Sequence, residues 1–399
     1  MDALTTPSNW QRVRLGDIAE IKRGASPRPI ENPKWFCTNS NVGWVRISDI
    51  SKNSRFLYKT AQKLSKKGIE KSRFIKQNSL IMSMCATIGK PIITKIDTCI
   101  HDGFVVFENP KIDLNYLYYF LCYIEKEWLE SGQQGSQVNL NVDLIKNKEV
   151  FCPKDLDEQA AIANVLSDVD RYLCSLDALI LKKESVKKAL SFELLSQRKR
   201  LKGFNQAWQK VRLGDICEFG NGGAYETLIV ENGDFKLISL NSIDIDGNLK
   251  NTMKRVNFYD NSLKQDDIVM VLSDVAHGDF LGLCAVIPSN DYVLNQRMGR
   301  LRKKNDCINI LFLRLYINAN QKYFKMQGQG SSQLNLSKKA IEDFEILLPS
   351  LNEQIAIANI LSDVDNEIIS LKNKKRQFEN IKKALNHDLM SAKIRVLKK

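Results

Sequence analysis

The sequence predicts an α+β protein built from two copies of one unit, each a globular domain followed by a long helix. Three observations support this: long segments repeat in the same order, short β-branched runs recur between the repeats, and apolar residues at the end of each repeat follow a heptad pattern. The chain has 399 residues, and about 150 residues per domain predicts two or three domains.

The repeat is clearest at the helices and at the start of each unit. Residues 156–176 match residues 351–371 at fourteen of 21 positions, and residues 10–20 match residues 208–218 at nine of 11. Chance would supply only about one or two identities in the longer match. The two halves therefore share one architecture.

Between these landmarks the halves diverge. Residues 24–130 and 222–325 share little beyond a few apolar segments, although GSQVNL at 135–140 matches GSSQLNL at 330–336. A retained frame with divergent inserts predicts two domains that perform the same task on different targets. Sequence drift without a difference in target is the alternative. Drift would also have reduced the identity of the repeated segments, which is high.

The ends of both repeats, 156–200 and 351–395, are predicted to be long helices. Apolar residues at 4-3-4-3 spacing form a seam in each: Ile162, Leu166, Val169, Leu173 and Leu176 in the first, and Ile357, Leu361, Val364, Ile368 and Leu371 in the second. Such a period keeps one apolar face towards a partner helix. Lys183 interrupts the first seam, which predicts looser pairing there.

The predicted boundaries follow from the repeats. A first globular domain spans 1–155 and a first spacer helix 156–204, followed by a second domain at 205–350 and a second helix at 351–399. Short β-branched runs followed by helical stretches predict mixed α+β domains of ordinary size.

Composition narrows the class of protein. The net charge is +13, and ten basic residues between Arg46 and Lys76 face only Asp49 and Glu70, which indicates a polyanionic partner. A solvated lysine-rich surface is the alternative. No apolar run approaches the 18 or so residues of a membrane span, and the first residues do not form a secretory signal. The nine scattered cysteines form no CxxC pair, so reduced thiols in a cytoplasmic protein are expected.

Catalytic motifs are absent from the sequence. There is no G-x-x-x-x-G-K-[ST] phosphate loop, and no two prolines are adjacent, which excludes the N/D-P-P-Y/F motif of adenine methyltransferases. His101, His277 and His387 are isolated, so no metal site is predicted. Asp102 adjoins His101, but neighbouring residues on a strand point to opposite faces, which argues against a dyad. No catalytic site is therefore predicted.

The repeated motifs resemble those of the specificity subunits of type I restriction-modification systems. The carrying residues are W-x-x-V-x-L-G-D-I at 10–18 and 208–216, the P…E-Q-x-x-I-A-x-x-L-S-x-x-D boundaries at 153–170 and 349–365, and the endings LLSQRKR and LMSAKIR. The resemblance covers essentially the whole chain.

The resemblance implies two target recognition domains in a pseudo-twofold arrangement, separated by two long antiparallel coiled-coil helices. Each domain would read one half of a bipartite double-stranded DNA target. The helices would set the gap and dock two methyltransferase subunits, and restriction/translocase subunits would complete the complex. S-adenosylmethionine, ATP and Mg²⁺ are expected in those partner subunits, with no cofactor in this chain.

Candidate DNA contacts follow from residue chemistry, because Arg can pair with guanine, Asn or Gln with adenine, and Lys with phosphate. The candidate base-reading residues are Arg23, Arg28, Gln134, Asn221, Tyr225, Arg297 and Gln329. The candidate phosphate contacts are Lys22, Arg55, Lys63, Lys66 and Lys67. Solvated surface residues are the alternative for each.

Two other classes compete with this interpretation. A self-contained nuclease or methyltransferase would need a further domain, and the two globular domains and two helices already occupy the whole length. A protein-binding coiled-coil scaffold would not require divergent inserts on a fixed frame. A sequence-dependent mobility shift with DNA separates the scaffold from the recognition subunit.

Overall fold

The computed structural model describes residues 7–131, 140–275 and 278–396. The chain divides into two compact units, which are described separately. The first unit comprises residues 1–177 and 373–399, and the second comprises residues 178–372. Both mix strands with helices, so the predicted α+β class is confirmed.

The first unit begins with a globular domain and continues into a long helix. Its strands are β1 (Trp10–Arg14), β2 (Glu20–Arg23), β3 (Gly43–Val45), β4 (Phe56–Leu57), β5 (Gln62–Lys63), β6 (Arg73–Ile75), β7 (Leu80–Ser83), β8 (Pro91–Thr94), β9 (Thr98–Ile100), β10 (Phe104–Glu108) and β11 (Glu149–Pro153). Its helices are α1 (Leu15–Ile18), α2 (Ile47–Ser51), α3 (Lys66–Glu70), α4 (Leu114–Tyr123), α5 (Glu125–Ser131), α6 (Val142–Asn147) and the start of α7 (Leu156–Leu195).

Two sheets form the core of the first domain. One has the strand order β2-β10-β7-β8-β4, the other has the order β5-β3-β9-β6, and β1 pairs with β11 beside them. Strand β10 is apolar on both faces because both faces are covered. Val105 and Phe107 pack in the cluster that includes helix α4, whereas Phe104 and Val106 pack against residues of the other sheet.

The second unit contains the corresponding elements. Its strands are β12 (Gln209–Arg212), β13 (Cys217–Asn221), β14 (Phe235–Ile238), β15 (Lys254–Val256), β16 (Ile268–Val271), β17 (Ser273–Val275), β18 (Cys284–Val286), β19 (Tyr292–Leu294), β20 (Met298–Lys303), β21 (Gln333–Asn335) and β22 (Glu345–Leu348). Its helices are α8 (Leu213–Ile216), α9 (Ile310–Ala319), α10 (Gln321–Gln327), α11 (Lys338–Glu342) and the start of α12 (Leu351–Met390).

The two globular domains share a framework that their sequences conceal. Strands β13-β20-β16-β18 form one sheet and β15-β14-β19 another. Strand β14 runs parallel to β19 as β3 runs parallel to β9, and β20 is antiparallel to β16 as β10 is to β7. Divergence between the halves therefore replaced side chains and loops while keeping the strand pairing.

Helices α7 and α12 each span 40 residues, about 60 Å at 1.5 Å per residue. Within the first unit Asp170 pairs with Lys382 at 2.5 Å and Asp177 with Lys375 at 2.6 Å, so the two segments run antiparallel. No helix in the described ranges is long and apolar enough to cross a membrane.

Lys183, which interrupts the first seam, lies in the second unit and forms an ion pair. Its ammonium group is 2.7 Å from Glu367, and Lys187 is 2.5 Å from Asp365. Ion pairs thus join the helices where the apolar seam stops. A continuous coiled coil along both helices, and the predicted placement of the domains relative to each other, remain predictions.

A buried carboxylate explains why three separate motifs repeat. Glu353, from the E-Q motif at the start of α12, is 1% exposed. Its carboxylate accepts hydrogen bonds from Trp208 Nε1 at 3.1 Å and from Arg200 Nε and Nη2 at 2.8 and 2.9 Å. The opening W motif, the E-Q motif and the ending of the preceding helix therefore meet at one point.

The first unit repeats this cluster. Glu158 is 7% exposed and accepts hydrogen bonds from Asn9 Nδ2 at 2.7 Å and Trp10 Nε1 at 3.3 Å. Arg395, which follows α12, lies 3.6 Å away. The repeated motifs are therefore architectural: they fasten each globular domain to the ends of both long helices. The divergent segments between the motifs can therefore change without altering this attachment.

Candidate nucleic-acid interface

The chain passes from one sheet to the other through a three-residue turn at the same place in both domains. In the first domain residues 101–103 connect β9 to β10, and in the second residues 295–297 connect β19 to β20. We call these the first and second crossing turns. Their sequences, HDG and NQR, differ completely. A shared position with different side chains is what a pair of recognition elements requires.

A glycine at the end of the first strand lets the crossing turn approach. Gly24, which follows β2, donates its N–H to Phe104 O at 2.8 Å, and a Cβ atom there would lie 2.0 Å from His101 O. Any side chain would push the turn away, because real Cβ atoms do not approach a carbonyl oxygen that closely. The position therefore requires glycine.

Gly222 has the same function in the second domain. It follows β13 and donates its N–H to Met298 O at 3.2 Å, and a Cβ atom there would lie 2.1 Å from Asn295 O. The glycine cluster at 220–223 is thus the place where the end of β13 meets the crossing turn. Asn221, the last residue of β13, is exposed beside it.

Asp102 organises the first crossing turn. Its carboxylate accepts a hydrogen bond from Ser26 Oγ at 2.7 Å and pairs with Arg28 at 3.0 Å. Its backbone carbonyl accepts from Arg23 Nε at 2.7 Å. Burial alone would raise the pKa of Asp102, but the Ser26 hydroxyl and the Arg28 charge lower it, so the carboxylate stays ionised. Two predicted candidates, Arg23 and Arg28, therefore converge on a residue that the prediction omitted.

The argument that His101 and Asp102 point to opposite faces was wrong. Strand β9 ends at Ile100, so both residues lie in a turn, where strand alternation does not apply. His101 Nδ1 lies 3.7 Å from the Asp102 carboxylate and accepts a hydrogen bond from Gly103 N–H at 2.9 Å. Burial lowers the pKa of His101 to about 4. The imidazole is therefore neutral at physiological pH and offers Nε2–H as a donor.

This pKa predicts acid sensitivity of the first domain. Because the folded value of about 4 lies below the ordinary value of 6.5, the unfolded chain binds more protons between these two pH values. Stability from a neutral His101 is therefore complete above about pH 6.5 and decreases as the pH falls towards 4. We expect His101→Asn to reduce the loss of stability between pH 7 and pH 5, measured as the urea midpoint of the full chain.

Asparagine is chosen because it is the residue at the corresponding position of the second domain. The matched control is His387→Asn, on an exposed position of α12. An equal pH dependence in the wild type and His101→Asn would contradict the burial argument.

The second crossing turn is held by a different set of contacts. Asn295 is 2% exposed; its side-chain oxygen accepts from Tyr225 N–H at 3.1 Å and its amide donates to Glu226 at 3.0 Å. The amide of Gln296 donates to the other Glu226 oxygen at 2.8 Å. Glu226 therefore fixes the base of the turn and leaves its tip, Arg297, facing outwards.

Arg297 is the clearest base-reading candidate. It is exposed and adopts φ = 69°, a left-handed conformation that side chains other than glycine rarely adopt. Among the described residues its guanidinium group has no hydrogen-bond or ion-pair partner. It lines a cavity of 410 Å³ together with Asn241, Lys250 and Gln333. The five N–H donors of the guanidinium are thus available to a ligand.

The other predicted base-reading residues divide into three cases. Tyr225 stays a prediction, and its side chain is already engaged: its hydroxyl donates to Asp260 at 2.8 Å and its ring packs edge-on against Phe258. The hydrogen bond to Asp260 raises its pKa. Gln329 is exposed, and its backbone pairs with Asn335. Gln134 lies outside the described residues.

The predicted phosphate contacts differ in whether their charges already have an ion-pair partner among the described residues. Lys63 on β5 and Lys66 and Lys67 at the start of α3 are exposed and have no ion-pair partner among the described residues. Lys22 is instead held by Glu108 at 2.5 Å and Glu20 at 2.9 Å, and these hydrogen bonds raise its pKa. Its charge is already balanced within the protein, so Lys22 stays a prediction with less support than the three free lysines.

The guanidinium group of Arg55 is occupied by contacts within the protein. It is 6% exposed, and its guanidinium donates to Tyr119 Oη at 2.9 Å, Asn115 Oδ1 at 2.6 Å and Ser167 Oγ at 2.7 Å. Since Ser167 lies on α7, Arg55 joins the first domain to the long helix. It cannot reach a phosphate group.

Sequence analysis missed the residues of the crossing turns: Asp102, Asn295 and Gln296. The corresponding glycines are 198 residues apart, but His101 and Asn295 are 194 residues apart. The inserts differ in length, so a fixed offset does not align the turns. The short match of GSQVNL with GSSQLNL after each insert was the available signal, because its last leucine is anchored next to the turn in both domains.

Fold and site together define a tandem protein in which one framework, used twice, presents two turns of different sequence. The family model "Type I restriction modification DNA specificity domain" matches residues 7–183 and 205–380. The chain therefore belongs to the family of type I restriction-modification specificity subunits, as its repeated motifs predicted, and carries two recognition domains.

Two sequence relatives and one solved structure are similar to this chain. The Methanocaldococcus jannaschii "Type I restriction enzyme MjaVIII specificity subunit" is 26% identical over 99% of this chain and 95% of its own. The Escherichia coli EcoprrI specificity subunit is 25% identical over 41% of this chain and 42% of its own. The S subunit from M. genitalium shares the fold with a TM-score of 0.62 at 17% identity, covering 97% of both chains.

Proposed function

We propose that the chain is the non-catalytic DNA specificity subunit of a type I restriction-modification complex, and that each recognition domain reads one half of a bipartite target. The observation that carries the proposal is the pair of crossing turns, which occupy one position in a shared framework but present different side chains. A protein that reads two different targets with one architecture requires a common framework that carries different side chains. The shared framework would place both turns in the same way, and their different side chains would select different half-targets.

The chemistry of each turn suits base edges in the major groove. Arg297 can donate two hydrogen bonds to guanine O6 and N7. In the first domain Arg23 and Arg28 present donors beside the Asp102 carboxylate, which can accept from cytosine N4. His101 Nε2–H adds one neutral donor. The first turn thus offers donors and an acceptor together, whereas the second offers an unpartnered cation.

The long helices are proposed to dock two methyltransferase subunits and to set the gap between the half-targets. Several large apolar side chains on these helices are exposed to solvent in this chain: Leu179, Leu181, Val186, Phe192, Ile369 and Ile381. Exposed large apolar side chains are typical of a surface that a partner covers. S-adenosylmethionine, ATP and Mg²⁺ would act in the methyltransferase and restriction/translocase subunits, in the cytoplasm.

The free lysines of the first domain provide the test of DNA binding. Replacing Lys63, Lys66 and Lys67 with Gln should weaken binding to every duplex and flatten its salt dependence by about two to three counterions. The reason is that these charges have no ion-pair partner in the part of the chain that the structure describes, and they release counterions when they meet phosphate. Binding is measured by mobility shift of the full chain, with and without its methyltransferase partner, across a range of salt concentrations.

The control is a second triple variant, with Gln replacing Lys210, Lys303 and Lys338. These lysines pair with Glu345, Asp306 and Glu342, so the net charge changes equally but balanced charges are removed. Equal weakening by both variants would refute a specific phosphate surface. A protein-binding scaffold would give no sequence-dependent shift for any of the three proteins.

A further inference from the structure

A loop that repeats in sequence is attached directly to the second crossing turn. Leu272, next to β16, donates its N–H to Arg297 O at 2.9 Å, and its carbonyl accepts from Leu336 N–H at 2.8 Å. Leu336 ends the GSSQLNL segment. A single residue therefore holds the crossing turn on one side and the repeated segment on the other.

The first domain has the same arrangement with different residues. Met84 donates its N–H to Gly103 O at 2.8 Å, and its carbonyl accepts from Leu140 N–H at 3.0 Å. Leu140 ends the GSQVNL segment of this half. The end of the repeated segment is thus fixed to the crossing turn in both domains, although the turns themselves have no residue in common.

We define residues 328–336 of the second domain as the shared loop. Gln329 and Asn335 exchange backbone hydrogen bonds of 2.9 and 3.0 Å, which close the loop. Gly330 adopts φ = 122°, and a Cβ atom there would lie 2.1 Å from Gln333 O, so only glycine fits. Asn335 also accepts a hydrogen bond from Ser273 Oγ at 2.6 Å. The loop is therefore a built element with a defined shape.

The exposed side chains of the shared loop are neutral hydrogen-bonding groups. Ser331 and Ser332 are exposed and Gln333 is half-buried. Within the described part of the chain, none of these side chains makes a hydrogen bond. Ser332 and Gln333 line the same 410 Å³ cavity as Arg297. Serine hydroxyl and glutamine amide groups are among the donors that bind phosphate oxygens, and such phosphate contacts carry no sequence information.

We propose that the shared loop contacts the phosphodiester backbone of DNA next to the bases that the crossing turn reads. The inference rests on the proposed function. It assigns base reading to the crossing turn and phosphate binding to the shared loop. Crossing turns differ between the domains because the half-targets differ. The loop sequence is retained in both halves because the sugar–phosphate backbone is common to both half-targets.

The test uses the full chain and a duplex of arbitrary sequence, as well as the target found by mapping methylated bases in the host DNA. The variants are Ser332→Ala with Gln333→Ala, and Gln333→Glu, which keeps the size of the side chain and adds a negative charge. Gln265→Ala is the control, because Gln265 is an exposed glutamine of the same domain. Circular dichroism confirms that each variant is folded.

We expect the double alanine variant to bind both duplexes about tenfold more weakly, as for two lost hydrogen bonds. The ratio of the two affinities should stay unchanged. Gln333→Glu should bind still more weakly at low salt, because unscreened repulsion opposes the phosphate. A neutral methylphosphonate at the contacted position should weaken the wild type, and should have no further effect on the double variant.

Three results would overturn the proposal. Unchanged affinity in both variants shows that the loop does not touch DNA. A changed ratio between target and arbitrary duplex shows that the loop reads bases. Loss of methyltransferase binding with unaltered DNA affinity identifies a partner surface. If the wild-type chain and its complex bind no duplex at all, the proposed function itself fails; in the first three cases it stands.

Discussion

Replacing residues 24–150 with the matching segment of a relative is expected to change one half of the DNA target and leave the other half intact. The exchanged segment begins at Gly24 and ends within β11, so it carries the first crossing turn and every strand of the two sheets except β2. Each wrong base pair costs about 1–3 kcal/mol, so methylation of the old target should disappear. Mapping methylated bases in a host that carries the complete system measures the result.

Arg297→Ala is the matched change in the second domain. It removes the unpartnered guanidinium at the tip of the second crossing turn, and the loss of a bidentate contact is worth about 1–3 kcal/mol. Specificity should relax in the half of the target that the segment exchange leaves alone. If either change altered both halves of the target together, the two domains would not be independent, and the modular interpretation would be wrong.

Glu353→Gln is expected to destabilise the second unit by about 2 kcal/mol, because charged hydrogen bonds to a buried carboxylate are lost. The carboxylate is 1% exposed and holds both Trp208 and Arg200. Breaking a fully buried pair costs about 3–5 kcal/mol, but the Arg200 side chain is 31% exposed, so solvent reduces the effect. Equilibrium unfolding in urea provides the measurement.

The control for this change is Glu367→Gln. Glu367 is 47% exposed and pairs with Lys183, and exposed ion pairs contribute about 0–1 kcal/mol. The same carboxylate chemistry is therefore removed from a solvated site. Should the two variants lose equal stability, Glu353 would have no special part in fastening the domain to the helices.

The sequence predicted the long-range organisation well because the signals for it are local and repeated. The helices begin at Leu156 and Leu351, where the E-Q motifs and heptad seams start. The function of the motifs was not predictable. Glu158 and Trp10 are far apart in the chain, and their contact depends on how the first domain packs against α7.

Single residues were predicted less well, because burial depends on tertiary packing. Arg55 stands among exposed lysines in the sequence, yet it faces Tyr119 and Ser167 and is buried. Lys22 lies on β2 beside the apolar strand β10, and its pairing with Glu108 at the end of that strand follows from strand register. A count of basic residues treats all of these charges as equal, whereas only some of them are exposed and without an ion-pair partner among the described residues.

The way the first unit is closed has a consequence for the order in which the protein can fold during synthesis. The second unit is one continuous segment, residues 178–372, whereas the first needs residues 373–399 as well. Leu389 and Met390 complete its core, and Arg395 completes the Glu158 cluster. The first unit is therefore the first to be synthesised and the last to complete its fold. Until then an incomplete apolar surface near Trp10 stays open, and such surfaces are prone to aggregation.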